Sequence, residues 1–289
     1  MKRLIVNADD FGLTAGVNSA ITHLHAAKRL TSATLMAHAQ ATEAAIEAAR
    51  ATPTLGVGCH VVLVDGAPIL PPRELPTLTD PQTGRFRRTL GVFVRDLLLS
   101  RIRPEEIEAE ATAQITRLRT HGLSPTHIDT HKHTHIFPRV LEPLLKAASR
   151  CNIPSIRNPF EPQWSITATP NAPAMRRLQV HVLNRMRNSF LRSVRASSLT
   201  TTDGAIGVLA TGTLDAATIA SLLSAMPSGT WELVTHPGYV DDALPQAGTR
   251  LIASRAIELA ALQAMHASAD LEWIHFGQLH SPQAEAAHR

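Results

Sequence analysis

Two adjacent carboxylates, Asp9 and Asp10, close a short apolar run in "RLIVNADDFG", residues 3–12. Like charges a few ångströms apart raise each other's pKa and resist burial, so a pair placed there calls for a compensating cation. The histidines supply candidate partners. His60 sits in "VGCHVVL"; His127, His131, His133 and His135 lie with Asp129 in "THIDTHKHTHIF"; His236 precedes Pro-Gly in "THPGYVDD". Two imidazoles and a carboxylate with an open position make a catalytic zinc-type site. The charge of a bound divalent ion also makes neighbouring carboxylates tolerable. Asp10, His60 and one histidine of "HKHTH" would furnish that set, leaving Asp9 as a base toward the attacking water. On an extended segment His131, His133 and His135 project to one face, so not all three need be ligands. Each group taken alone has a plainer reading: Asp9 as a helix cap, Asp10 solvated, His60 in the core, the others on turns and loops. Their recurrence at the ends of separate segments favours the metal.

Those segments alternate between short β-type runs and helical patterns. "RLIVNA", "TSATLMA", "LGVGCHVVL", "PTHIDT", "PSIRNP", "DGAIGVLA", "TWELVTH" and "LEWIHF" read as strands. Helical patterns cover 16–29, 41–50, 104–122, 138–152, 175–195, 214–226 and 250–268, the third opened by a proline at its first turn. Seven or eight βα units without a composition break predict one α/β domain over residues 1–289. The expected architecture is a distorted TIM-like (β/α) barrel of parallel strands, with a doubly wound sheet as the structural runner-up. A barrel places its chemistry at the C-terminal strand ends, where Asp9, Asp10, His60, Asp129 and His236 fall. Two insertions interrupt the rhythm, at about 65–103 and 158–175. The first is Pro-rich and too long for an ordinary connection, which predicts a functional loop or lid.

Composition narrows the class. The chain has 289 residues, 44% hydrophobic and 18% charged, as in globular proteins. No apolar run approaches the ~18–20 residues that span a bilayer. The opening "MKRLIV" meets Asn7 and Asp9 too soon for a signal peptide, so cytoplasmic residence is expected. Cys59 and Cys151 make neither a disulfide framework nor a zinc-finger spacing and read as buried free thiols. A net charge of +4 would admit nucleic acid, but aromatics are 4% and no nucleic-acid-binding motif is present.

"RLIVNADDFG", "GVGCHVVL", "PTHIDTHKHTHIFP" and "ELVTHPGYVDD" together resemble the signature blocks of the YdjC-like carbohydrate deacetylases, from the first strand to about residue 240. The resemblance implies a distorted (β/α) barrel that removes acetyl groups from N-acetylated sugars with one divalent metal. By position it implies Asp10, His60 and His131 as metal ligands, Asp9 as catalytic base and His236 as acid. Zinc suits the imidazoles best, with magnesium, manganese or cobalt also admitted. Arg157, His133, His135 and Tyr239 are the expected substrate contacts, Arg157 being equally readable as a structural ion-pair arginine. "HVVLVDGAPILPP", "GRF" and the arginine-rich stretch look most like the hopanoid-biosynthesis-associated branch, which implies an N-acetylglucosaminyl group on a hopanoid lipid. Soluble chito-oligosaccharides are the alternative substrate, and a non-catalytic sugar or lipid binder the alternative of another class. One departure stands out: His38 occupies a position where many relatives carry asparagine. A homodimer is compatible with these features.

Residues 175–195 place Met175, Leu178, Val182, Met186, Phe190 and Val194 on one helical stripe, with Arg176, Arg177, Arg185, Arg187, Arg192 and Arg195 at other positions. A basic amphipathic helix can lie in a membrane interface. With "NPFEPQWSITATPNAP" before it, including Phe160 and Trp164, it is expected to form a lipid-facing lip. The plainer expectation is that the stripe packs on the barrel and the arginines face water.

Overall fold

β1 (Lys2–Phe11) organises the sheet because three strands hydrogen-bond to it. In this computed structural model, which describes residues 1–266 and 270–279, β1 is followed by α1 (Ala15–Ala26), β2 (Ser32–Leu35), α2 (Thr42–Ala51) and β3 (Gly56–Val61). α3 (Leu90–Leu98), α4 (Pro104–Thr120), β4 (Ile128–Thr130) and α5 (Pro138–Arg150) come next. Then follow α6 (Gln163–Ala168), α7 (Ala174–Asn184), α8 (Arg187–Ala196), β5 (Gly204–Ile206), α9 (Ala216–Ala225), β6 (Gly229–Thr235), α10 (Ala253–Ala264) and β7 (Leu271–Trp273). All strand pairs are parallel, in the order β4-β3-β2-β1-β6-β5, with β7 also on β1. β6 runs along Lys2–Ala8, so β7 and β2 must share the other edge: β7 takes Lys2–Leu4 and β2 takes Asn7–Phe11.

The sheet curls into a half-barrel, and residues 155–160 lie between its two ends. Ile156 bridges to Ile128 and Ser155 to Thr200, while Ala205 N donates to Phe160 O. The strand expected at "PSIRNP" is therefore reduced to bridges. Pro154 and Pro159 flank it, and neither can donate to a ladder. The helix expected over 250–268 is α10; residues 267 and 268 lie outside the described part.

Alternation along β1 sorts the interior. Leu4, Val6 and Ala8 join the large cluster that the helices cover. Ile5 faces the other way and packs with Ile274, Phe276 and Leu279 as an apolar plug. Above the plug the inward positions turn polar: Asn7, Asp9, Asp129, Arg157 and Glu232 are all buried. His127 lies at the boundary, stacked on Phe276 with ring centroids 3.7 Å apart. Gly58 makes room for it, since a Cβ there would come within 2.4 Å of the imidazole. Cys59 and Cys151 are buried and free.

The 65–103 insertion differs from the expected lid. It contains α3, and Leu75, Leu78, Phe86, Phe93 and Leu97 are buried. Two α4 carboxylates hold its backbone: Glu110 accepts from Ile69 N (2.8 Å) and Leu70 N (3.0 Å), and Glu106 from Thr77 N (2.8 Å) and Leu78 N (2.9 Å). Its prolines set the path and α4 satisfies its amides, so it packs as part of the core. The basic helix expected over 175–195 is two helices, α7 and α8, broken at Arg185–Met186. Phe190 and Val194 bury the stripe only in α8. Among the described residues no helix is long and apolar enough to cross a membrane.

His127 makes a titration prediction. Burial pushes its pKa well below the usual value, with the Arg157 charge adding to the effect. The unfolded chain then takes up the proton first, so this stability is present above about pH 6.5 and is lost as pH falls. Urea unfolding should show the protein losing stability between pH 7.5 and 5.5, and His127→Phe should remove about 1 kcal/mol of that loss. An unchanged pH dependence in the variant would place the sensitivity elsewhere.

Candidate active site

Consecutive residues of a strand point to opposite faces, yet Asp9 and Asp10 are both buried at one rim. A register shift between Ala8 and Phe11 in the β1–β2 pairing resolves the conflict. Bulges re-aim side chains in this way. Asp10 itself is in the left-handed region, φ 65°, a conformation that costs a non-glycine residue roughly 1–3 kcal/mol and concentrates at functional sites.

The two acids turn to different arginines. Asp9 accepts from Arg157 Nη2 (2.7 Å) and Nη1 (2.9 Å), from Asn7 Nδ2 (3.0 Å) and from Thr34 Oγ1 (3.1 Å). Burial alone would raise the Asp9 pKa, but Arg157, His60 and His236 hold it far below the usual carboxylate range. Arg157 is completely buried and also binds Glu232 (2.6 Å) and Asp129. It has no exposed surface for a sugar, which fits the ion-pair reading over the substrate contact. Asp10 pairs with Arg255 of α10. That guanidinium, with His131 and His60, outweighs burial and keeps Asp10 well below the ordinary range.

Beside Asp10 three donor atoms form a small triangle. His60 Nε2 is 3.6 Å from Asp10 Oδ1, His131 Nδ1 is 3.4 Å from it, and the two ring nitrogens are 3.3 Å apart. Ligands at 2.0–2.1 Å around a tetrahedral ion stand about 3.3–3.4 Å from each other, so this set fits a divalent metal. The second half of His60 supports the fit: its Nδ1 lies 2.8 Å from Asp129 Oδ1, which aims Nε2 at the triangle. Burial would lower the His60 pKa, but Asp129 and the acids behind it raise it to about 9. The field that holds a proton there would equally hold a cation, which must displace it. A second grouping, Asp9 with His60 and Asp129, is weaker because both acids are already engaged by Arg157.

"HKHTH" departs from the expected extended segment. Residues His131–Ile136 form a 3-10 turn in which Lys132 and His133 are left-handed, φ 57° and 51°. Thr130 Oγ1 accepts from His135 N (3.0 Å), and Lys132 Nζ reaches Asp65 Oδ2 (2.6 Å). The three histidines therefore do not share a face. His131 joins the triangle. His133 is half-buried near Asp9 and His236, with burial and then Arg157 pushing its pKa down to about 3, and its Nδ1 has no partner among the described residues. His135 is fully buried against Thr130 (2.6 Å) and Phe190, away from any surface a sugar could touch.

His236 completes the rim. Its Nε2 is 3.6 Å from Asp9 Oδ2, its Nδ1 3.8 Å from Glu258 Oε2, and its backbone N donates to that same carboxylate at 2.6 Å. Tyr239 lies outside the cluster, its hydroxyl 3.1 Å from His23 Nδ1 on α1. His38 is exposed beside Arg117, 3.0 Å away. Arg255, Glu258 and Glu232 were not expected from sequence. The helical pattern of α10 and the apolar run of β6 give no sign that those residues face the site.

The family model for YdjC-like proteins matches residues 3–272. A Brevibacillus brevis protein named carbohydrate deacetylase is 46% identical over 158 residues, 55% of this chain and 60% of that protein, so the match spans under two thirds of the relative. A Thermoanaerobacter pseudethanolicus protein of the same name is 30% identical over 244 residues, 84% of each chain. Among solved structures, an Enterococcus faecalis V583 protein provisionally described as a cellobiose-phosphate cleavage protein superposes with a TM-score of 0.73 at 25% identity. That match covers 96% of this chain and 98% of the other.

Removing the Arg157 charge should expose its importance. Arg157→Met leaves Asp9, Asp129 and Glu232 buried without their cation, and such losses cost about 3–5 kcal/mol. Urea unfolding should show a loss of that size, with Arg157→Lys recovering only part because it lacks the planar fork. A midpoint matching the parent's would remove Arg157 from the centre of the network.

Proposed function

The chain belongs to the YdjC-like protein family, and on that footing we propose that it hydrolyses the acetamide of an N-acetylated sugar. The observation that carries this reading is the Asp10–His60–His131 triangle flanked on the same rim by Asp9 and His236. When bound there, a divalent ion supplies Lewis-acid polarisation of the acetyl carbonyl and acidifies water. Zinc suits the two imidazoles best.

Asp9 serves as the base. Arg157 keeps it ionised across the neutral range, so it is ready to take a proton from the attacking water. Asn7, Thr34 and Arg157 fix its carboxylate, so little reorganisation is needed as the proton moves. His236 is the acid for the departing amine: it faces Asp9 on one side, and Glu258 holds its backbone on the other. Each transfer of this kind is worth roughly 10²–10⁴-fold. His133, half-buried beside Asp9 and His236, is the contact on this rim for the sugar or its acetyl group.

The sugar is proposed to be N-acetylglucosaminyl, carried on a hopanoid polyol. "HVVLVDGAPILPP" and "GRF" support that acceptor, and soluble chito-oligosaccharides are the comparison substrate.

Acetate release combined with metal analysis tests the roles. Asp10→Ala, His60→Ala and His131→Ala should each lose metal and turnover together. Asp9→Asn and His236→Ala should retain metal while kcat falls by about 10²–10⁴-fold. Retention of metal by Asp10→Ala, or near-normal turnover by Asp9→Asn, would overturn the assignment. A higher kcat/KM for chitobiose than for the hopanoid-linked sugar would overturn the acceptor alone.

A further inference from the structure

α7 has its polarity reversed. An amphipathic helix on a barrel ordinarily buries its apolar stripe, and α8 does so with Phe190 and Val194. α7 buries no residue at all. Met175, Leu178 and Val182, spaced to share one face, are 67%, 56% and 48% exposed. Three of its polar side chains, Arg176, Arg177 and Asn184, turn inward instead. Arg176 donates to Thr211 O (2.7 Å), Arg177 to Ile166 O (2.7 Å) and Thr169 O (2.6 Å), and Asn184 to Glu161 O (2.7 Å). Arginine cations thus fasten the helix to the loops while Met175, Leu178 and Val182 face out and Leu183 packs against the core.

The place and the charge of this face both matter. Glu161 accepts from Gly207 N and Leu209 N in the loop that follows β5, so α7 rests on the strand-end rim that carries the metal triangle. No Asp or Glu occurs between Glu161 and Asp203, whereas six arginines do. Arg185, Arg192 and Arg195 are exposed.

We propose that α7 is a docking surface for an anionic lipid bilayer, with Met175, Leu178 and Val182 entering the acyl boundary and the free arginines meeting phosphates. Charge favours this occupant over a second copy of the chain, because α7 packed on α7 would bring unbalanced arginines together. The inference goes beyond the deacetylase reading and stands without it, since its readout needs no turnover.

Flotation of the intact protein on phosphatidylcholine vesicles with and without phosphatidylglycerol tests it. At low salt the protein should float only with the anionic vesicles and be released as salt rises. Met175→Ser, Leu178→Ser and Val182→Ser combined should abolish flotation. Arg185→Glu with Arg192→Glu should weaken it by about five-fold or more per arginine. All these side chains are exposed, so both variants should melt at the parent's temperature, and the charge variant tests the proposal independently of the apolar one. Absence of flotation on anionic vesicles, or undiminished flotation of the triple variant, would overturn the proposal. So would a dimer in light scattering that the triple variant abolishes, which would assign the face to a second copy.

Discussion

One buried guanidinium holds the upper half of the barrel together. Arg157 meets Asp9 from β1, Asp129 from β4 and Glu232 from β6, so it ties strands that are far apart around the curl. Burying an ion is costly unless partners satisfy it fully, and here the arginine's fork is matched by carboxylates on three sides. There is one cation for three acids, and the imbalance is visible in Glu232, which burial raises to about 7 even with Arg157 beside it. The same arginine reaches both halves of the proposed chemistry. Through Asp129 it sets the ring of His60, and through Asp9 it sets the group facing His236.

The second constraint is the separation of two neighbours in sequence. Asp9 and Asp10 could not coexist in one low-dielectric spot if both looked for the same partner. The β1 bulge and the left-handed Asp10 divide them, one toward Arg157 and one toward Arg255. Only Asp10 then has an oxygen next to the two imidazole nitrogens. The proposed distinction between ligand and base thus rests on backbone geometry, since the side chains are chemically identical.

Much of this was legible in the sequence, for a physical reason. Strand and helix periods are local, and residues at strand ends inherit their position from them, so Asp9, Asp10, His60, His131 and His236 could be placed on one rim. What stayed hidden depends on partners distant in the chain. Arg255 and Glu258 lie in an ordinary helical pattern, and Glu232 looks like one polar residue in a β run. The 65–103 segment reads as loose because the carboxylates that hold it, Glu106 and Glu110, look like the solvated acids of an exposed helix. "HKHTH" misleads for another reason. Alternating histidines suggest an extended segment, but two left-handed residues wind it into a turn. The arginines of 175–195 suggest a solvated face, and the inward bonds of Arg176 and Arg177 to loop carbonyls depend on loops that sequence does not place.

The long reach of these pairs bears on how the molecule comes into being. Of these elements β1 leaves the ribosome before its partners, with its two acids exposed. Asp9 must wait for a partner 148 residues later and Asp10 for one 245 residues later. The first strand therefore cannot settle during most of synthesis, and the parallel sheet around it forms through contacts of high sequence separation, which are slow to close. Nascent protein would pass through a stage with an unpaired, acid-tipped strand, the kind of species that chaperones attend. The proposed catalytic rim is thus assembled late, although Asp9 and Asp10 are made long before their arginine partners.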